Sequence, residues 1–495
     1  MSFLGIDVGT GSSKGVITDA DGTVLRQARR DHVTANPRPG WFEHDADQVW
    51  WGDVVALCRE LLAEPGERVE AVCISGIGPA VLVADEHDQP LRPAILYGID
   101  TRSAPQVDRQ NAELGESYLL EHLGNVLSSQ SIGPKLQWVA ENEPEVWART
   151  RRIYSQPGWA VRQLTGEYTM DRYTASAADP LYEMNRRDWF DEQWEPFAQV
   201  ERPRLAWPGE VVGTVSEAGS EQTGIPVGTP VTAGTVDAVT EGYSVGCQDL
   251  GDTMIMYGST LFMIQVVDRV LPSTVLWATE GRTGDTHSLA AGMATGGLVT
   301  NWLADTLGQG FSALAEAAST VRPGSDGLLM LPYFSGERTP IFDPAARGAW
   351  TGMTLTHTPG HLYRSALEGI AMGIRHNLQA MQESGAGARR LVAVGGGTAQ
   401  RLWIQLVSDI TRLPQDLPSI TVGASYGDAR LAADALGVDT SGWNPVAERL
   451  TPDPESGRTY DELYRLYLDS YRAQADLMHD LGRLDTAGRD QPEPQ

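Results

Sequence analysis

"FLGIDVGTGSSKGVITDADG" spans Phe3–Gly22. A short apolar run reaches one aspartate, Asp7, and a loop of glycine and hydroxyl residues follows. One lysine, a second apolar run and an Asp21-Gly22 pair complete the stretch. The pattern predicts a β-hairpin. Phe3 to Val8 run out, Gly9 to Ser13 form the loop, Lys14 to Thr18 return, and Asp21-Gly22 turns toward Val24-Leu25. Such a loop suits phosphate, because glycine lets backbone amides approach closely and Thr10, Ser12 and Ser13 add hydroxyls. It is not a Walker loop, which needs Gly-x4-Gly-Lys-Ser/Thr ahead of a helix. Rossmann spacing fails as well, since Lys14 sits where the third glycine belongs. Asp7, beside the loop, is suited to hold Mg²⁺ through water. The plainer alternative is a strand-end carboxylate bonded to a loop.

Working outward, the same plan of strand into small-residue loop recurs. "VEAVCISGIG" (Val69–Gly78) is a buried strand entering a glycine loop, and "TPVTAGTVDAVTEGYSVG" (Thr229–Gly246) is a strand, a loop and a helix. "RRIYSQPGWAVRQLTGEYTMD" (Arg151–Asp171) reads as strand, loop and short helix. A helix is expected over Ala46 to Ala63, with Asp45 or Asp47 near its start. Around Cys247 to Gly251 the chain starts again: "GDTMIMYGSTLFMIQVV" (Gly251–Val267) repeats the opening plan. A duplicated domain pair with a cleft between is the simplest account, with closure on ligand about Cys247 to Gly251. "LVAVGGGTAQRLWIQLVSD" (Leu391–Asp409) is a strand, three glycines and an amphipathic helix. Tyr460 to Leu484 is expected to be helical and Asp485 to Gln495 a disordered tail. Strand ends with Gly, Ser, Thr or Asp line ligand crevices in α/β folds.

The totals narrow the class. A chain of 495 residues exceeds what one core serves, so two or more domains are expected. No apolar run approaches the ~18 residues of a membrane span, and no basic region precedes the first apolar run, which argues against a signal peptide. The net charge of −27 makes nucleic acid and anionic membrane poor partners. A nucleotide remains compatible where amides and Mg²⁺ supply a local positive field. Cys58, Cys73 and Cys247 fit neither a CxxC pair nor a metal site, and reduced thiols in the cytoplasm are expected. Lysine occurs only at Lys14 and Lys135.

Asp237 lies in "AGTVDAV". Phosphoryl transfer from ATP to a hydroxyl needs positioning, charge neutralisation and a carboxylate near the attacking oxygen. The competing reading is a helix N-cap for Ala238 to Val245.

Taken together, these stretches resemble the FGGY family of carbohydrate kinases, within the superfamily of actin, hexokinase and heat-shock chaperone ATPases. The resemblance runs from about Phe3 to Gly437. It rests on the opening hairpin, "KLQWVAEN" (Lys135–Asn142) and "LTGEYTMDRYTAS" (Leu164–Ser176). Most specifically it rests on "GERTPIFDPAARGAWTGM" (Gly336–Met353), followed by "HLYRSALEG" (His361–Gly369). It implies an α/β fold of two ribonuclease H-like, actin-like ATPase domains with an interdomain catalytic cleft. Residues 1–247 would form the sugar-binding domain, with the first phosphate hairpin and the base, and 248–484 the nucleotide-binding domain. By the same resemblance, Gly9, Thr10, Gly11, Ser12 and Ser13 face the β- and γ-phosphates, with Asp7 near Mg²⁺. Asp237 is the catalytic base, in the pattern Gly-x-x-Asp from Gly234. Thr260 falls in the second phosphate hairpin, and Gly296, Gly297, Gly395, Gly396 and Gly397 are nucleotide contacts. The implied reaction is ATP-dependent phosphorylation of a small sugar or polyol, xylulokinase-like, by a cytoplasmic enzyme; a homodimer is the expected assembly.

The sugar side departs from the pattern. Xylulokinases carry Gln-Met-His-Gly where this chain has Ile77-Gly78-Pro79-Ala80, so an imidazole and an amide are absent. They carry Trp-Asn-Asp-Gly-Arg where this chain has "YGIDTR", one residue longer, with Tyr97 for the tryptophan. Gly78, Pro79, Tyr97, Asp100 and Arg102 are the candidate acceptor contacts, beside Asp237. Other acceptors (ribulose, erythritol, glycerol, gluconate) and a non-kinase actin-fold ATPase are the alternatives.

Overall fold

The computed structural model describes residues 1–64 and 68–489. The opening hairpin forms from β1, Ser2–Val8, and β2, Ser12–Asp19, and β3 follows at Val24–Asp31 after the Gly22 turn, where φ is +82°. β1 is antiparallel to β2 and parallel to Val69–Gly76, pairing Asp7 with both Lys14 and Ser75. The sheet runs Val211–Thr214, Pro230–Thr232, Val69–Gly76, β1, β2, β3, with Thr235–Val236 also on Val69–Gly76. β1 is buried along its whole length, as expected of a strand covered on both faces.

The expected helix at Ala46 divides in two. Asp45 accepts from the amides of Asp47 and Gln48, a π-helical turn spans Ala46–Trp51, and α1 runs Gly52–Leu61. Both consecutive tryptophans, Trp50 and Trp51, are buried in that wider turn. The hairpin loop is tighter than expected: Ser12 and Ser13 already belong to β2.

The chain divides into two units. The first comprises Met1–Gln248, Val266–Ser288 and Val422–Pro445; the second comprises Asp249–Gln265, Leu289–Thr421 and the chain from Val446 onward. The helix Ala424–Ala435 therefore returns to the first unit and packs on β1. Gly5 permits that contact, because a Cβ there would lie 2.0 Å from the Ser425 carbonyl oxygen.

In the second unit Asp252–Tyr257 is antiparallel to Leu261–Val267 and parallel to Arg390–Val394. This is the pairing scheme of β1 with β2 and Val69–Gly76, so the echo in the sequence corresponds to a repeated core. Gln415–Pro418 and Val446–Leu450 extend the sheet beyond Arg390–Val394. The C-terminal helix spans Gly457–Arg489, five residues into the stretch expected to be a tail; residues 490–495 of that stretch lie outside the described ones.

Candidate active site

In the first unit the site is built where strands end. Val69–Gly76 feeds the turn Ile77–Ala80, β1 feeds the Gly9–Gly11 loop, and Thr235–Val236 feeds a helix that begins at Asp237. Gly234 has φ +69°, and a Cβ there would stand 2.0 Å from the Ile74 carbonyl oxygen, so the turn into Thr235 needs glycine. Thr235 donates to Asp171 Oδ1 at 2.8 Å, which ties the segment just ahead of Asp237.

Asp237 does not cap its helix. The cap position is Val236, and Asp237 Oδ1 accepts only from the adjacent Ala238 amide at 2.7 Å. Its second oxygen makes no hydrogen bond among the described residues. Burial pushes the Asp237 carboxyl up to about 7, with the charge of Glu241 adding to it and the Ala238 amide and Lys14 opposing. Asp7 is 8% exposed, and its buried Oδ1 has no hydrogen-bond partner among the described residues. Burial first, and the charge of Asp237 next, hold Asp7 well above the usual carboxylate range. Glu241 is raised by burial in the same way. Lys14 is the cation opposing all three. The sequence reading gave neither Lys14 nor Glu241 a role here. Asp428, from the returning helix, accepts from Ser75 at 2.7 Å and is also raised by burial.

The loop residues separate by environment. Gly11 is exposed, and nothing lies near a Cβ placed on it. Thr10 Oγ1 lies 3.2 Å from the Tyr97 hydroxyl. Ser13 is buried and donates to Asp53 at 2.7 Å, so its hydroxyl is committed on the core side of the strand. Gly11 is thus the exposed residue of the hairpin loop, with Gly9, Thr10 and Ser12 half-buried beside it.

In the turn after Val69–Gly76, Gly78 packs against Val236, while Ile77, Pro79 and Ala80 are buried. Tyr97 is partly exposed. Asp100 and Arg102 are placed in packing: both side chains are 0% exposed, bonded to one another at 2.7 Å. Arg102 also reaches Glu43 at 2.7 Å and lies over the Trp41 ring at 4.3 Å, and Asp100 accepts from the Phe42 amide. Lys135, buried nearby and donating to the Ser129 carbonyl, is pulled down to about 7 by burial.

The second unit holds a cavity of about 730 Å³, within the range of small-ligand sites. Gly258 and Ser259 of the second hairpin, Gly297, Gly396 and Gly397 line one part. Phe311, Tyr363 and Trp403 supply aromatic faces, with Asn301, Ser312 and Gln400 as polar groups. Gly297 donates to the Gly258 carbonyl at 2.8 Å, and a Cβ on it would meet that oxygen at 2.9 Å. Gly296, Gly395 and Thr260 do not line the cavity. Gly296 bonds the Ser259 carbonyl, Gly395 turns at φ +90°, and Thr260 is exposed on the hairpin. Arg338, from the Gly336–Met353 stretch, donates to the Met293 carbonyl at 2.8 Å and fixes a loop.

The two units thus share one core pairing scheme, each with a glycine-bearing loop on its antiparallel strand pair. Two family models match in succession: the FGGY family of carbohydrate kinases, N-terminal domain, over residues 2–241, and its C-terminal domain over 254–436. The chain belongs to the FGGY family of carbohydrate kinases and is an ATP-dependent carbohydrate phosphotransferase. It is 28% identical to a xylulose kinase of Lactococcus lactis over 98% of this chain and 99% of that protein. It is 30% identical to a glycerol kinase of Janthinobacterium sp. over 90% and 91%. The solved xylulose kinase of Rhodospirillum rubrum superposes with a TM-score of 0.90 at 28% identity, covering 97% of this chain and all of that one.

Proposed function

We propose that this kinase phosphorylates a pentulose-sized ketose or polyol and uses D-xylulose poorly. The observation that carries the reading is that the turn Ile77–Ala80 has no side-chain donor. The similarity to xylulose kinases supports an acceptor of this size, and the similarity to a glycerol kinase keeps polyols in range. Tyr97 is the polar contact assigned to the acceptor; Asp100 and Arg102 are assigned to holding its loop. The test is ADP release with and without a panel of ketoses and polyols. One ADP per phosphorylated sugar supports the proposal, whereas turnover indifferent to every acceptor refutes it.

In this reading Asp237 accepts the proton of the attacking hydroxyl as its oxygen takes the γ-phosphoryl group and ADP leaves. The aromatic faces of the second-unit cavity take the adenine, and the amides of Gly396 and Gly397 take phosphate. The loop Gly9 to Ser12 is assigned the β- and γ-phosphates.

Mg²⁺ fits the first unit as part of the nucleotide complex. Among the described residues no group of three or more His, Cys, Asp or Glu is placed to hold a metal ion alone. Asp7 nevertheless has an unpartnered buried oxygen, in a field of carboxylates opposed by one lysine. A divalent cation there would neutralise the charge developing on the phosphates. Asp7→Ala is expected to raise the Mg²⁺ concentration for half-maximal activity by about tenfold, with excess Mg²⁺ restoring part of the rate. An unchanged Mg²⁺ titration would place the metal elsewhere. A cytosolic homodimer belongs to the same proposal, the compartment resting on three buried cysteines that form no disulfide among the described residues, and light scattering checks the assembly.

A further inference from the structure

The back of the first hairpin loop is held by a side-chain arrangement that the mechanism above does not use. His32 follows β3, and its side chain is 7% exposed. Its Nδ1 lies 2.7 Å from Asp53 Oδ2, and its Nε2 lies 3.1 Å from both the Gly9 and the Thr10 carbonyl oxygens. The His32 backbone amide donates to the Gly11 carbonyl at 3.1 Å. Thr34 Oγ1 also donates to the Thr10 carbonyl, and His44 Nε2 stands 3.2 Å from it. Three consecutive loop carbonyls are therefore drawn to one side. A trans peptide sends its N–H opposite to its C=O, so the following amides, of Thr10, Gly11 and Ser12, are turned to the other side.

We propose that His32, as an imidazolium clamped by Asp53, is the positioning residue that aims the amides of this loop at nucleotide phosphate. The inference rests on the reading of Gly9 to Ser12 as a phosphate cradle. Both ring nitrogens of His32 face acceptors only, a carboxylate on one side and two carbonyls on the other, and only the doubly protonated ring donates to both. His44 is of the opposite kind. Its Nδ1 accepts from Trp50 Nε1 at 3.2 Å, so it serves as a neutral donor through Nε2. Asp53, on α1, is held also by Ser13 and by Arg30 of β3, each at 2.7 Å.

The charged and titratable groups facing His32 are thus Asp53 from α1, His44 from the strand Glu43–His44 (β4), and Arg30 from β3 through Asp53. Burial opposes the charge on His32, but the hydrogen bond and charge of Asp53, then the Thr10 and Gly9 carbonyls, outweigh it and raise the pKa. Burial likewise opposes ionisation of Asp53, yet the bonds from His32, Ser13 and Arg30 hold it below the usual range. Burial, then the charge of His32, lowers His44 to about 4. His32 is the member of the cluster whose pKa is raised above the ordinary histidine value. Its contribution is complete below the ordinary histidine pKa and is lost as pH rises through the raised value.

The experiment measures affinity for a non-hydrolysable ATP analogue and for adenosine across pH, in the full chain and three variants. Wild type is expected to bind the triphosphate more weakly as pH rises through the His32 transition, with adenosine affinity flat. His32→Leu is expected to lose about tenfold in triphosphate affinity below the His32 transition, the scale of a charge-assisted hydrogen bond, to keep its adenosine affinity, and to show no alkaline limb. His32→Gln, whose amide donates to carbonyls without titrating, is expected to recover most of the affinity and to stay flat. Gly11→Glu sets a carboxylate on the exposed loop and tests the cradle itself. If Gly11→Glu leaves triphosphate affinity unchanged, the loop is not the phosphate site. If Gly11→Glu weakens it while folded His32→Leu, or His32→Gln, keeps the wild-type affinity and alkaline limb, the loop reading stands and the clamp is overturned.

Discussion

Asp237→Asn is expected to lower kcat by ~10²–10⁴-fold, the usual cost of removing a general base, while ATP and acceptor bind with near wild-type affinity. The substitution keeps volume and keeps an oxygen for the Ala238 amide, which is the single hydrogen bond the side chain makes among the described residues. Gly234 still turns beside Ile74, and Thr235 still bonds Asp171, so the segment holds its place. What is lost is a group able to take a proton from the attacking hydroxyl. The pH profile adds a second signature. Burial, then the charge of Glu241, raises Asp237 to about 7, and a base works in its unprotonated form. The acceptor kcat/KM of wild type should therefore climb with pH up to about 7 and level beyond it, and the asparagine enzyme should lack that limb. Steady-state kinetics with calorimetric binding checks both. Near wild-type kcat in Asp237→Asn would reduce Asp237 to the first residue of a helix.

Much of this was legible because it is local. Apolar runs on either side of a Gly-Thr-Gly loop mark the first hairpin, and the same plan at Gly251–Val267 marks the second; the two share one pairing scheme in the structure. What escaped the sequence reading is carried by long-range packing. The helix Ala424–Ala435 meets β1 at Gly5, and Asp428 meets Ser75 across 353 positions, which no spacing rule reveals. His32 and Asp53 are 21 positions apart on separate elements. Asp100 and Arg102 have the chemistry of sugar contacts, yet only burial separates such a pair from a structural one, and here both side chains are 0% exposed. Ser13 differs from Ser12 by one position in a strand, and strand alternation sends their side chains to opposite faces.

D-xylulose is expected to be a poor acceptor, with a kcat/KM about ten- to a hundredfold below the best member of a panel of L-ribulose, D-ribulose, erythritol, glycerol, gluconate and deoxy-ketoses. The magnitude follows from hydrogen-bond arithmetic: a buried hydroxyl left unpaired costs roughly 1–3 kcal/mol. Where xylulokinases carry an imidazole and an amide, this chain carries Ile77, Gly78, Pro79 and Ala80, none with a side-chain donor. The structure narrows the possible replacements. Arg102 is spent on Asp100 and Glu43 and stacked on Trp41, and Asp100 is spent on Arg102 and the Phe42 amide. Tyr97 is partly exposed, and its hydroxyl lies 3.2 Å from Thr10 of the first hairpin loop. An acceptor with a hydrogen or an apolar group opposite Ile77 forgoes nothing, whereas one with a hydroxyl there gives up a partner in water and gains none. The same logic predicts that Ile77→Gln raises D-xylulose kcat/KM relative to the preferred acceptor. If wild type turns over D-xylulose as efficiently as any panel member, the missing donors are supplied by backbone or by residues outside this turn, and the assignment of specificity to Ile77–Ala80 fails.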